Sequence, residues 1–260
     1  MAEYLRSALS GKVGGVADPE VPPSTLEREA LTTPSQRRFQ AIYLTLRERI
    51  TLLQYKPGTP IDIDALAEEF RVSRTPMRSV LQQLAYHGLV ISRHGVRTSV
   101  STLDFDKLRE AQLFRSQLAE LIGELTPRTP ENAAIEAMHA AEARCSSLMD
   151  NPDPRSFASI DIQVHEAVCS LIGNLPLLQT YDDLYFRTAR MWFYFLPRLD
   201  WRNEVQIFQR DIEARRQAME IGDIKAVGFI TRNAVSSVLI RLDSLFRQIE
   251  AAEGPETPPL

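Results

Sequence analysis

Apolar residues recur at steps of three and four over several long stretches of this chain, and as short β-branched runs near one place only. Across residues 35–54, Phe39, Ile42, Tyr43, Leu46, Ile50 and Leu53 fall on one face, which predicts a first helix. Pro57-Gly58 stops it in a turn. Ile61 and Ile63 flank Asp62 in a short extended piece, and Asp64 is then placed to cap a short helix over 65–70. Ser73 is placed to cap a third helix running to about His87, with Gly88 as its stop. Pro76 falls in that helix's first turn, where a missing amide hydrogen costs little. Residues 89–92 and 96–100 are β-branched runs separated by His94-Gly95, which predicts a hairpin.

Beyond Ser101 the pattern is helical throughout, over about 103–125, 131–149, 155–172, 176–196, 201–221 and 223–249. The breaks carry stop signals: Pro127 and Pro130, Asn151-Pro152 with Pro154, Gly173-Asn174 with Pro176, Pro197, and Gly222-Asp223. The fold class expected is mainly α. An N-terminal winged helix-turn-helix of three helices and a small β-hairpin wing spans 34–101. An all-α bundle of six to seven helices spans 102–250. Residues 1–33, rich in Gly, Pro and charge, are expected to form a flexible arm, and 251–260, with Pro255, Pro258 and Pro259, a flexible tail.

Composition narrows the classes. Hydrophobic residues make up 44% of 260 and charged residues 25%, enough for real cores. No apolar run approaches the roughly 18 residues of a membrane span. Glu3 and Arg6 interrupt any secretory signal. Cys145 and Cys169 sit in helical patterns without metal-ligand neighbours, as expected of reduced core thiols in a cytoplasmic protein. The net charge of −4 would argue against nucleic acid, but its distribution reverses that. Residues 34–100 hold ten Lys/Arg against five acids, while 101–260 hold seventeen against twenty-four. A basic module on an acidic body suits a protein that presents one face to a polyanion.

The basic module carries its chemistry on the predicted third helix. Ala67 lets the second and third helices cross closely, and Val72, Val80, Leu81 and Leu84 supply the buried side. Arg74, Thr75, Arg78 and Gln82 then face outward near the helix start, the end that enters the major groove in a helix-turn-helix. An arginine fork fits guanine O6 and N7, or a phosphate. The hairpin tip, with Arg93, His94-Gly95 and Arg97, is placed as a wing over the neighbouring groove.

The run Val72-Ser73-Arg74-Thr75-Pro76-Met77-Arg78-Ser79-Val80-Leu81, followed by Leu84, Gly88-Leu89-Val90 and His94-Gly95, resembles the GntR family of bacterial transcription regulators. The resemblance implies that Ser73, Arg74, Thr75 and Arg78 contact DNA and that His94 and Gly95 reach the minor groove. Two positions depart from the family pattern. Arg71 stands where a glycine is common, and a left-handed turn there would cost about 1 kcal/mol. Asp64 stands where some relatives carry a DNA-contacting arginine.

The second half resembles the FadR-type subfamily with its FCD effector domain, through Asp161 and His165, Gly173-Asn174 with Pro176, and Ala218 with Gly222-Asp223. Asp161 and His165, four apart, share a helix face. Many relatives use one Asp and three His to hold a divalent metal, which in turn holds a carboxylate effector. The second and third histidine positions fall on Ile212 and Asn233, so two imidazoles are missing and Asp161 and His165 remain as a remnant pair. No metal and no other cofactor is therefore expected, and Ile212 would make that wall more apolar. A small-molecule effector, with a carboxylate as its expected handle, would be held by Arg115, Asp161, His165, Arg187 and Asn233. Arg190 is a further candidate. The stripe Tyr185, Trp192, Phe195 and Leu196 reads as core or dimer interface before a ligand cage.

No phosphate loop, nucleophile elbow or metal-protease pattern appears, so no enzyme is expected. The partners expected are a double-stranded DNA operator, a small-molecule effector and a second copy in a homodimer, with no membrane. The function expected is a regulator, a repressor by preference, controlled by its effector. The rival is a ligand-independent DNA-binding protein whose helical domain only dimerises. A cavity between the helices favours the sensor, and a fully packed interior favours the rival.

Overall fold

The computed structural model describes residues 33–92 and 97–253, with side chains to residue 248. The expected arm, the tail beyond Glu253 and the wing tip with Arg93, His94 and Gly95 lie outside the described residues. The chain divides into two compact units, one ending at Asp104 and the other beginning at Phe105.

The first unit starts with α1 (Pro34–Thr51). Thr33 and Gln36 close a capping box, each accepting from the other's backbone N–H, and Pro34 takes the first helical position. Next come α2 (Ile63–Glu69) and α3 (Arg74–Tyr86). Asp62, not Asp64, caps α2: its Oδ1 accepts from the N–H groups of Asp64 at 2.9 Å and Ala65 at 3.1 Å. Asp64 is thereby moved into the first turn and freed for another contact. Ser73 has the extended backbone of a cap, but its hydroxyl makes no capping bond. Pro76 at the third helical position removes one of the two amides such a hydroxyl would reach.

The α2–α3 turn passes through Arg71 at φ +51°, the left-handed conformation expected there. Arg71 N–H donates to Glu68 O and Val72 N–H to Ala67 O, closing a Schellman turn. Arg38 on α1 donates to the carbonyls of Phe70 and Arg71, bracing the strained link. Strands β1 (Val90–Ile91) and β2 (Ser99–Val100) pair antiparallel, with Val90 opposite Val100. The segment around Pro60 lies along the other edge of β2, Ile61 N–H donating to Thr98 O and Val100 N–H to Thr59 O. The core joins Ile42, Leu46 and Ile50 of α1, Leu66 and Ala67 of α2, Met77, Val80, Leu81 and Leu84 of α3, and Leu89, Val90 and Val100.

The second unit comprises α4 (Phe105–Glu120), α5 (Asn132–Ser147), α6 (Pro154–Cys169), α7 (Leu175–Phe195), α8 (Trp201–Glu220) and α9 (Ile224–Glu253). Short 3-10 turns follow α4 and α7. Helix α9 packs along α4 and α8, α4 also along α7, and α5 against α6 and α8. The backbones of α4's end and α9 meet without room for a side chain: a Cβ on Gly228 would stand 2.9 Å from Ala119 O. Asp153, Asn174 and Asp200 cap α6, α7 and α8 through their side chains.

Candidate nucleic-acid interface and effector cavity

On α3 the apolar residues Met77, Val80, Leu81 and Leu84 face the core. Arg74, Thr75, Arg78 and Gln82 are exposed, so 74, 78 and 82 lie one turn apart on the outer face. Ser73 is exposed at the helix start. The two arginines have different surroundings. Asp64 grips Arg74 side-on: Nη2 donates to Oδ2 at 2.6 Å, and Nε donates to Oδ1. Arg78 has no carboxylate partner among the described residues. The face therefore offers one braced and one unbraced guanidinium at the end of a helix that can enter a groove.

The second unit contains a cavity of about 90 Å³ lined from α4, α6, α7, α8 and α9. Arg115, Asp161 and His165 are brought to its wall. Arg187 and Asn233 are not. Arg187 is half-buried elsewhere on α7, and Asn233 is exposed, its Oδ1 accepting from Arg232. The inward stripe of α9 runs through Thr231, Ala234, Val235 and Val238, one position off the expected register. On α8 the lining residues are Glu204, Ile207, Phe208, Asp211 and Arg215, while Ile212 is packed in the core. A shift of one residue turns a helical side chain by about 100°, so where Ile212 was expected the wall carries Asp211 and Arg215, beside the apolar Ile207 and Phe208. Arg190 is buried away from the cavity, and burial pushes its pKa down to about 10.

Asp161 and His165 do share the wall, but α7 engages each separately. Tyr185 OH donates to Asp161 Oδ2 at 2.8 Å. His165 Nε2 lies 2.9 Å from Asp182 Oδ1 and 3.3 Å from Cys169 Sγ, with its ring stacked on Tyr185 at 3.6 Å between centroids. The Arg115 guanidinium lies over the rings of Tyr181 and Tyr185, 5.1 and 4.8 Å from their centroids. Buried polar atoms on the wall without a hydrogen-bond partner are Gln112 Oε1 and Arg115 Nε, together with Glu204 Oε2 and Arg241 Nε, which form an ion pair with each other.

Burial dominates the electrostatics. It raises the Asp161 carboxyl above its ordinary 3.8, against the opposing Tyr185 hydrogen bond and the Arg115 and Arg215 charges. Burial, with the facing Asp161, pushes the Tyr185 phenol well above 10. Glu204 and Asp211 are also raised by burial, which Arg241 and Arg215 respectively counter. Arg241 Nε and Glu204 Oε2 face each other as an ion pair at 3.0 Å.

The metal that the FCD resemblance implies does not fit this wall. Asp161 accepts from Tyr185, His165 turns to Asp182, and the Arg215 guanidinium lines the same space. His165, Cys169 and Asp182 do gather one nitrogen, one sulfur and one oxygen within 4.8 Å of one another. Three donors fall one short of a closed tetrahedral site.

Reading the sequence missed Gln112, Tyr181, Glu204, Asp211, Arg215 and Thr231 on the wall. A usable signal was present on α8, where Glu204, Asp211 and Arg215 interrupt a stripe of Val205, Phe208 and Ile212. Of the aromatic stripe on α7, Tyr185 and Trp192 line the cavity, while Phe195 and Leu196 are core. Among the described residues, no helix is long and apolar enough to cross a membrane.

A winged helix with arginines on its recognition helix, joined to a helical unit with a polar cavity, defines a class of DNA-binding transcription regulators. Residues 39–100 match the model of the bacterial regulatory proteins of the gntR family, and residues 110–217 that of the FCD domain. The chain belongs to the GntR family and carries an FCD domain.

It is 31% identical over 127 residues, 49% of this chain and 56% of the relative, to a protein of Paenarthrobacter nicotinovorans described as a probable D-xylose utilization operon transcriptional repressor. It is 29% identical over 157 residues, 53% of this chain and 68% of the relative, to the galactonate operon transcriptional repressor of Escherichia coli (strain K12). The match thus spans little more than half the length of the first of these relatives. Among solved structures, E. coli McbR/YncC is similar in fold at TM-score 0.66 and 15% identity, over 82% of this chain and 98% of that one. A GntR transcriptional regulator from Rhodococcus sp. RHA1 is similar at 0.59 and 18%, over 78% and 97%.

Proposed function

We propose that this chain is a homodimeric repressor whose hold on a near-palindromic operator is controlled by a small carboxylate-bearing molecule taken into the helical cavity. The observation that carries this reading is the cavity itself, with Gln112 Oε1 and Arg115 Nε buried and unpartnered on its wall. An orphaned buried donor or acceptor costs about 1–3 kcal/mol. A ligand that offers an acceptor to Arg115 and a hydroxyl or amine donor to Gln112 recovers that cost. At about 90 Å³ the cavity is far smaller than the roughly 300–1,000 Å³ of drug-sized pockets, so the ligand is compact. The cavity supports a sensor over a helical domain that only dimerises.

Ser73, Arg74, Thr75 and Arg78 carry the DNA contacts in this reading, with His94 and Gly95 of the wing. Two copies read two half-sites, which one recognition helix alone cannot do. Leu113 and Phe114 on α4 and Ile240 on α9, exposed on two helices that pack together, supply apolar surface for the second copy. The names of both curated relatives support repression. Sensing runs without a transition metal, because Asp161, His165 and Arg215 as arranged do not form a metal wall.

The test is a thermal-shift screen of small hydroxy and amino acids against the full chain, with and without EDTA. Hits are then assayed for release of a duplex enriched from a random library. A hit is expected to release the duplex from wild type and not from Arg115→Ala. Release that persists in Arg115→Ala puts the ligand elsewhere, and a response that EDTA abolishes overturns the metal-independent reading.

A further inference from the structure

We infer that Asp64 is a positioning residue for base reading: its carboxylate holds Arg74 side-on so that the outer edge of the guanidinium is presented to a guanine. The inference rests on the reading of α3 as the recognition helix and adds a residue that contacts no DNA in that reading.

The geometry sets the argument. A guanidinium has five N–H donors in a planar fork. The Asp64 contact uses the side edge, Nε and one hydrogen of Nη2. The end edge, with both hydrogens of Nη1 and the second hydrogen of Nη2, stays open. That end edge still presents two parallel N–H donors, which can meet the O6 and N7 of a guanine together. A long side chain held at its side edge has fewer conformers to lose when its end edge docks.

Folding does not need this pair. Both partners are largely exposed, 66% and 60%, where an ion pair contributes little. Helices α2 and α3 are already joined by Leu66, Ala67, Val80 and Leu81 in the core and by the Schellman turn at Arg71. Arg78, one turn further on the same face, has no such brace among the described residues, so the brace is specific to the first arginine of the helix. A carboxylate at this place also repels a phosphate backbone. Asp64 therefore weakens indiscriminate binding while sharpening the preference for one base, which is specificity gained against the wrong partner.

The experiment is selection from a randomised duplex library on the full chain, for wild type, Asp64→Asn, Asp64→Ala, Arg74→Ala and the double variant Asp64→Asn/Arg74→Ala. Affinity for an alternating A–T duplex, which has no guanine, is measured alongside. The position that loses its guanine preference in Arg74→Ala marks the base that Arg74 reads.

Asp64→Asn and Asp64→Ala are expected to lower that preference by roughly fivefold or more, the scale of a bidentate guanine contact. Both should leave A–T affinity equal or raised, and Asp64→Asn should add nothing in the Arg74→Ala background. If the Asp64 variants bind every duplex more tightly with the guanine preference intact, Asp64 is only a repelling charge and the inference fails. If Arg74→Ala itself changes no base preference, the assignment of the recognition helix fails first.

Discussion

The two units of this chain put their working polar groups in opposite places. In the winged-helix unit the core is apolar, from Ile42 and Leu46 to Met77 and Leu84, and the arginines of α3 stand outside it. In the helical unit Gln112, Arg115, His165 and Arg215 are themselves buried around the cavity. A surface that meets a polyanion can be changed with little effect on folding. A polar cavity cannot, because each of its charges was taken out of water to form it. Function and stability are therefore separable in the first unit and coupled in the second.

The largest effect expected from this contrast comes from the apolar core. Leu84 is fully buried between the helices and the wing of the first unit. Leu84→Ala should cost about 2–5 kcal/mol, a large part of the roughly 5–15 kcal/mol that holds a domain together. Calorimetry should show a transition of the winged-helix unit displaced to lower temperature, with the helical unit's transition unmoved. A single transition lowered as a whole would mean that the units do not fold independently.

A smaller effect, of a different kind, is expected at Asp161. Its pKa is raised above 3.8 by burial, which outweighs the Tyr185 hydrogen bond and the nearby arginines. Below 3.8 the group is protonated both folded and unfolded, and it costs nothing. As pH rises from 3.8 through the folded value, the unfolded chain ionises first, and Asp161 becomes a penalty that is complete above the folded pKa. Asp161→Asn keeps an oxygen for the Tyr185 hydroxyl and removes the penalty. The variant should melt above wild type near neutral pH, with the gap closing as pH falls towards 3.8. A gap that stays constant with pH would mean that Asp161 is not a destabilising charge.

The same contrast explains what the sequence revealed. The winged helix was legible because its signals are local: a proline in a first turn, a glycine after a helix, arginines one turn apart. Even there Asp62 and Asp64 exchanged roles, since two carboxylates two residues apart compete for one cap and only backbone geometry decides. The helices of the second unit were legible from their breaks. Their inward faces were not, because a long helix drifts in phase against its neighbours. Asp211 and Ile212, or Asn233 and Ala234, differ by one residue and by whether they line the cavity. The partners of Asp161 and His165 lie on α7, 24 and 17 residues away, where no spacing rule reaches.

The smallest effect lies at the turn before the recognition helix, where the chain carries its own control. Arg71 closes α2 at φ +51° and Gly88 closes α3 at φ +73°, each within the same pattern of backbone hydrogen bonds. Glycine adopts this conformation freely, whereas a residue with a Cβ is strained in it. Arg38 binds the carbonyls of Phe70 and Arg71, and those are main-chain groups that survive any substitution at Arg71. Arg71→Gly therefore keeps the brace and relieves the strain, while the unfolded chain gains some freedom. The net gain should be about 0.5–1 kcal/mol in the winged-helix unit. Gly88→Ala should lose about the same or slightly more. Urea unfolding followed through the first unit's transition reads both. An Arg71→Gly variant less stable than wild type would show that contacts of the arginine side chain outweigh the strain of its backbone.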